Sequence, residues 1–340
     1  SKVACTQVKN QNMTNTCWSF ATSSFLESEL IRMGHDNVDL SEMYIVRNIY
    51  KDKALNYILR QGKANFSQGS LAHDPIRMAA RHGLMTEAAY SGKLKDEKQH
   101  NHSELESGLK GFLDGVRTGK TLSSKWDEAV SAILDVYIGS APDNFKVDGK
   151  SYTPKTYVEQ LQIDADNYVS ITSFTHHPFH EQFILEVPDN YSNGSFYNVT
   201  LSEMMSIIDH ALENGYSIAW DGDVSEKGFS ARQGIAVLAE DASREDLFTE
   251  PGKEIVVSQK LRQESFENYR TTDDHLMHIV GTAKDKNGDK YYVTKNSWGE
   301  ISSYKGFLHM SEEYVKMKTV SLMVHKAAIP KAIANKMLEN

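Results

Sequence analysis

Between Cys17 and Met33 the positions Phe20, Ser24, Leu26 or Glu27, Leu30 and Ile31 recur at helical spacing, so the stretch reads as a helix. Asn15 or Thr16 is available as its cap and Gly34 as its stop, which places Cys17 in the first turn. A second amphipathic pattern opens at Leu40-Ser41-Glu42 with Ser41 as N-cap and runs through Tyr44, Ile45 and Ile49 to Tyr57 and Leu59. A third helix is expected from Ser70 to Arg81, ending at His82-Gly83. From about 90 to 154 the texture changes. Residues 93–110 are rich in charge, His and Gly, and helical patterning returns from Trp126 to Tyr137, which suggests a solvent-facing helical insertion.

Past residue 166 the period shortens towards two. Strands are expected at Tyr168-Val169-Ser170-Ile171 and at 183–187, a helix over Leu201–Asn214 closed by Gly215, and a buried strand over 216–220. The last third adds strands at 278–283 and 291–296 around an Asn287-Gly288-Asp289 turn. Helices first and sheet last describe an α+β enzyme of two lobes: 1–90 mainly helical, 91–165 the helical insertion, 166–330 sheet-rich, 331–340 a tail.

Composition narrows the picture modestly. At 340 residues, 40% hydrophobic and 24% charged, the chain can bury a full core. No apolar run approaches the roughly 20 residues of a membrane span, and the first residues do not form a signal peptide. The net charge of −9 favours neither a phosphate-binding surface nor a nucleic-acid partner. The first residue is Ser rather than Met, which leaves the compartment open, exported or periplasmic included. Cys5 and Cys17 are the only cysteines, too few for a disulfide framework, and a bridge between them would silence both thiols.

What changes the picture most is chemistry. Cys17 at a helix start is placed for a depressed thiol pKa, because unpaired N–H groups and the helix dipole favour the thiolate. An imidazole must exchange a proton with that sulfur, and two histidines compete for the role. His278 is preferred because it precedes the apolar run Ile279-Val280-Gly281, whereas His275 follows the polar run Thr271–Asp274. Asn296, closing the adjacent strand, can fix the imidazole's rotamer and tautomer. The Gln11 amide and the Cys17 N–H can hold an oxyanion, donors whose loss commonly costs about 10²–10³ in rate. Other polar groups read as bland. His176-His177-Pro178-Phe179-His180 is a solvated loop without recognisable metal-ligand spacing, 240–250 an acidic surface loop, and Asp221 and Asp223 terminate a strand near the cleft wall.

These segments, Gln11 to Cys17-Trp18-Ser19-Phe20-Ala21, Leu40-Ser41-Glu42, His278-Ile279-Val280-Gly281 and Asn296-Ser297-Trp298-Gly299-Glu300, resemble in order and spacing the papain-like cysteine peptidases. Pro154–Val158, the Ile207–Asn214 helix leading to Trp220-Asp221-Gly222-Asp223 and Gly306-Phe307-Leu308 are similar to the bleomycin hydrolase and bacterial aminopeptidase C branch. The resemblance implies a helical lobe and an antiparallel sheet or barrel lobe with the cleft between them, and a peptide substrate. It implies catalysis by Cys17, His278, Asn296 and Gln11 without metal or organic cofactor, and a cytoplasmic location. It also implies that Trp298 shields the His278–Asn296 bond and that Trp18, Gln68, Gly69, Ser70 and Met277 contact substrate, although the family usually has two glycines where this chain has Gln68-Gly69. Family members form hexameric cages whose C-terminal arm restricts the cleft to free N-termini. The short run after Ile329-Pro330 leads to the expectation that most of that arm is missing, with Leu338-Glu339-Asn340 as a candidate anchor for a substrate's amino group. The expected activity is therefore an aminopeptidase, with an open-cleft endopeptidase, a non-catalytic peptide-binding module and a thiol acyltransferase as alternatives.

Overall fold

The computed structural model describes residues 2–338. Six helices build the first lobe: α1 (Cys17–Arg32), α2 (Glu42–Leu59), α3 (His73–His82), α4 (Ser103–Val116), α5 (Lys125–Ile138) and α6 (Pro154–Leu161), with a small hairpin of β1 (Phe145–Val147) and β2 (Lys150–Tyr152) before α6. The second lobe carries β3 (Tyr168–Thr172), β4 (Gln182–Ile184), β5 (Ser195–Asn198), α7 (Leu201–Glu213), β6 (Ile218–Gly222), β7 (Phe229–Ser230), β8 (Ile235–Ala236), α8 (Gln259–Glu267), β9 (His275–Lys284), β10 (Lys290–Lys295), β11 (Phe307–Ser311), α9 (Glu312–Lys318), β12 (Thr319–His325) and α10 (Lys331–Leu338). Its ten strands form one sheet in the order β4-β5-β3-β12-β6-β9-β10-β11-β8-β7. The sheet is mixed, not purely antiparallel, because β3 pairs parallel with β5 and β11 parallel with β8.

α1 lies at the junction of the lobes. Every residue from Cys17 to Leu30 is buried, although the sequence reads as amphipathic. The polar face is covered too, because the sheet lobe packs on it through β9. Some of its small hydroxyls therefore bond to protein, Ser19 Oγ donating to the Glu42 carbonyl at 2.9 Å and Ser28 Oγ to the Ala4 carbonyl at 2.8 Å, while those of Thr22 and Ser23 are buried with no partner among the described residues. α2 follows its sequence signals, with the Ser41 side chain accepting from the Tyr44 N–H. α3 begins three residues later than expected because the Ser70 hydroxyl is engaged by the Asp74 carboxylate at 2.6 Å.

The segment expected to face solvent folds back instead. Leu105, Leu109 and Leu113 of α4 and Val130, Leu134 and Ile138 of α5 are buried in the helical lobe's core, leaving only the outer faces wet. β12, unmarked in the sequence reading, sits between β3 and β6 near the middle of the sheet. Covered on both faces, it lacks the alternation that marks a half-exposed strand. On the far face, Trp220, Tyr292 and Tyr314 pack with α7, α9 and α10 as a second core. Residues 331–338 lie on that core through Ile333 and Met337. Of the proposed anchor, Glu339 and Asn340 fall outside the described residues.

The stretch before α4 holds two buried imidazoles. Neither nitrogen of His102 has a hydrogen-bond partner among the described residues, and its ring lies 6.0 Å from that of Tyr50. Burial, and then the neighbouring His100, pull its pKa down to about 4. The unfolded chain therefore binds a proton that the native chain refuses between pH 6.5 and 4, so this residue's contribution to stability falls as pH falls through that window. His102→Phe should remove the effect. In urea titrations the wild type should lose stability relative to the variant by up to about 1.4 kcal/mol per pH unit below 6.5. Parallel curves for the two proteins would show that His102 does not titrate this way.

Candidate active site

A cleft of about 510 Å³ separates the lobes, lined by Gln11, Cys17, Trp18, Gln68, Gly69, Ser70, His275, Trp298 and several carboxyl groups. Cys17 opens α1 with its side chain 7% exposed, and its sulfur accepts the Leu276 N–H at 3.5 Å. The thiol is not the low-pKa group that a helix start suggests. Burial pushes it up to about 12 against the opposing Leu276 N–H, and Asp273, Asp221 and Asp189 push in the same direction as burial. Both cysteines are free.

The histidine at the cleft is His275, not His278. His275 Nε2 lies 2.7 Å from Asn296 Oδ1, and its ring lies under Trp298 with centroids 4.6 Å apart. The Asn296 oxygen also accepts the Ser297 N–H at 2.8 Å, which fixes the amide orientation. His275 must then donate from Nε2, leaving Nδ1 as the basic nitrogen. Burial, opposed by the Asn296 bond, lowers its pKa to about 4, so the imidazole is neutral at ordinary pH.

His278 is fully buried elsewhere. Its Nδ1 meets Ser24 Oγ at 2.8 Å, and Ser24 lies seven residues, roughly 10 Å, down α1 from Cys17. Strand alternation makes the two histidines exclusive: three positions apart on β9, they point to opposite faces. Lys295 donates to the same Ser24 hydroxyl at 2.8 Å, and burial together with that cation holds His278 well below the usual imidazole range. His278 belongs to the packing between α1 and β9. Met277 is also displaced from the role expected for it. It is 1% exposed, packs in the far core with Trp220 and Ile279, and does not reach the cleft.

The other expected residues do line the cleft. Gln11 is held at both ends of its amide: Nε2 donates to the Thr14 carbonyl at 2.7 Å and Oε1 accepts from Ser297 Oγ at 2.7 Å. Trp18 Nε1 donates to the Gln68 carbonyl at 2.8 Å, tying the helix start to the opposite wall. The Gln68 side chain is not free for substrate, since it accepts the Asn15 N–H and donates to Glu106, both at 2.8 Å. Gly69 is required by a close approach: a Cβ there would overlap the Asp189 carboxylate.

The sequence does not mark Asp189 and Asp273, which stand in loops, or Glu106, in the first turn of α4, as residues of the cleft. The histidine loop is more built than expected. His176 and His177 bond to Glu186 at 3.0 and 2.6 Å, and these three side chains come close enough together to suit a cation. Gln263 Oε1 accepts the Thr175 N–H, so its Nε2 must donate to His176 Nδ1 at 3.0 Å. That bond leaves the His176 proton on Nε2, aimed at Glu186, and the trio is satisfied by itself.

Comparison with known proteins extends these observations. Residues 137–340 match the family model described as Peptidase C1-like family, and residues 1–162 match that described as papain family cysteine protease. Aminopeptidase G of Lactobacillus delbrueckii subsp. lactis is 22% identical over 370 residues, covering 95% of this chain and 82% of its own length. Aminopeptidase C of Lactococcus lactis subsp. lactis is 21% identical over 361 residues, with 94% and 80% covered. Among solved structures, PepW from Lactobacillus rhamnosis aligns with a TM-score of 0.75 at 17% identity, covering 100% of this chain and 84% of that one. The two-lobed fold is thus a known one, and no helix among the described residues is long and apolar enough to cross a membrane.

Proposed function

Since the chain belongs to the Peptidase C1-like family and is a cysteine peptidase, we propose that it releases N-terminal residues from peptides, with Cys17 as nucleophile and His275 as the group that moves the proton. The observation that carries this reading is the His275–Asn296 hydrogen bond beneath Trp298, which leaves one basic imidazole nitrogen in a cleft that also holds the Cys17 sulfur.

Thiol and imidazole both begin neutral, because burial raises one pKa and lowers the other. Attack therefore couples C–S bond formation to transfer of the sulfur's proton to His275 Nδ1. The imidazolium, held by Asn296, then protonates the leaving amine as the C–N bond breaks; in deacylation water attacks the acyl carbon and gives a proton to Nδ1, and that proton passes to the sulfur as the C–S bond breaks and the acid leaves. The Cys17 N–H and the second Nε2 proton of Gln11 are the donors proposed for the oxyanion, a reading supported by the Ser297 hydroxyl and the Thr14 carbonyl, which fix how the Gln11 amide is turned. Restriction to N-terminal residues is supported by the names of the relatives, which are aminopeptidases.

The test is hydrolysis of paired fluorogenic peptides, one with a free N-terminus and one acetylated, by wild type and Cys17→Ala under reducing conditions. Cys17-dependent release from the free peptide alone is expected. Cleavage of both would mean an endopeptidase, and release from neither would overturn the assignment of this cleft.

A further inference from the structure

Five carboxyl groups line or back the cleft, and their partners divide them. Glu106 accepts from Gln68, and Asp274 accepts from the Thr272 hydroxyl at 2.8 Å and from Ser225, so both serve the walls. Asp221 and Asp273 do not. Asp221 is 1% exposed and accepts one hydrogen bond, from Ser321 Oγ at 3.0 Å, while its Oδ1 and the Oδ2 of Asp273 have no donor among the described residues. Burial raises the pKa of both carboxyls, that of Asp221 to about 7 and that of Asp273 well above the usual carboxylate range, where the neighbouring Asp221 adds to burial.

Strand geometry explains their place. Asp221 alternates with Trp220, so it points away from the far core that holds the indole, and its register partner on β9 is Leu276, whose N–H reaches the Cys17 sulfur. Asp189 enters from the other wall, against the bare backbone of Gly69, and is aimed by Asn65 Nδ2 at 3.1 Å and Ser67 Oγ at 3.3 Å. Lys53, whose charge bears on Asp189, spends its own hydrogen bonds on the Ser67 and Gly69 carbonyls. Three acids thus stand near the nucleophile, and each, when ionised, opposes the thiolate. For catalysis alone this is unfavourable, which makes the acids hard to explain unless a ligand neutralises them.

We infer that Asp221, Asp273 and Asp189 form a pocket for a positive charge carried by the peptide beside the bond that is cut, either its free α-ammonium group or the cation of a basic side chain. The inference rests on the peptidase reading of the cleft and adds to it a substrate class. A cation entering the pocket favours the ionised form of Asp221 and Asp273, whose protons leave to solvent, and both carboxylates then pair with the ligand. The same cation removes the acids' opposition to the thiolate, so a matching substrate favours its own attack. An apolar group would leave the carboxyls unpaired, and an anion would be repelled.

Two measurements test this. In a Cys5→Ser background Cys17 is the only thiol. Its modification by aminoethyl methanethiosulfonate, a cation, is compared with that by the sulfonatoethyl reagent, an anion. In each case the sulfur forms a disulfide and methanesulfinate leaves, and rates are normalised to a small free thiol. The cationic reagent should react faster by about tenfold or more, and Asp221→Asn with Asp273→Asn should bring the ratio towards one. Equal rates in the wild type would overturn the pocket, and this arm needs neither peptide turnover nor a variant that folds. The second measurement is kcat/KM for three peptides: free N-terminus with neutral side chains, acetylated with a lysine, and acetylated neutral. Preference for either charged peptide over the neutral one, lost in Asp189→Asn, supports the pocket and says which cation it takes. Turnover with no preference that these variants change would overturn the pocket while leaving the peptidase reading intact.

Discussion

His275→Ala should lower kcat/KM by about 10³–10⁴ or more, as Cys17→Ala should, whereas His278→Gln should leave turnover within a few-fold of wild type. The reasoning is geometric. Only His275 is bonded to Asn296 and lines the cleft with Cys17, while His278 is spent on Ser24 two helical turns away. His278→Gln should instead appear as a stability loss of about 1–3 kcal/mol, because it disturbs a buried hydrogen bond beside Lys295. Measuring both variants for peptide hydrolysis and for urea unfolding separates the roles. A dead His278→Gln that unfolds like wild type, beside an active His275→Ala, would reverse the assignment.

The second large effect concerns the charges under α1. Lys9 Nζ lies 2.7 Å from Glu42, 2.6 Å from Asp39 and 3.9 Å from Glu27, and both glutamates are almost wholly buried. Glu27 also accepts the Leu40 N–H at 2.9 Å and the Thr6 hydroxyl at 2.5 Å. Lys9→Met would strand two buried carboxylates near one another, and removing one partner of such a group typically costs about 3–5 kcal/mol. Burial already raises both glutamate pKa values, and without Lys9 the main opposing charge is gone. Because the protonated form is the favoured one in the fold, the deficit should shrink as pH is lowered and grow as it is raised. Chemical denaturation of wild type and Lys9→Met at pH 5 and 8 checks both size and sign. A loss under about 1 kcal/mol at pH 8 would mean that the glutamates find other partners.

Much of this molecule is legible in the residues. α1, α2, α5, α7 and β10 follow their patterns, and Cys17, Gln11, Trp18, Gln68, Gly69 and Trp298 do gather at one cleft, with Asn296 behind it on His275. What failed did so for physical reasons. The apolar run Ile279-Val280-Gly281 points to a strand that starts at His278, whereas β9 begins three residues earlier, at His275 itself. Alternation alone shows that 275 and 278 cannot share a face, but not which face meets the cleft. That is decided by β9 lying along α1, with Leu276 at Cys17 and His278 at Ser24. Strand β12 and helix α4 were missed because their sequence signals depend on which faces the rest of the fold covers. The acids of the cleft come from three separate loops and strands, so only the folded chain brings them together.

The segment before α1 has a consequence for how the cleft works. Val3 pairs with Val280 in the sheet lobe, Met13 with His100 beside the helical lobe, and Lys9 and Gln11 with Gly299 and Ser297 between them. The chain's first residues are thus a strap laced across both halves. A strapped pair of lobes does not yawn open to admit a substrate. The width of the groove is therefore set by main-chain bonds made before α1 begins, and a cut within residues 3–13 would be expected to loosen the two lobes together rather than either one alone.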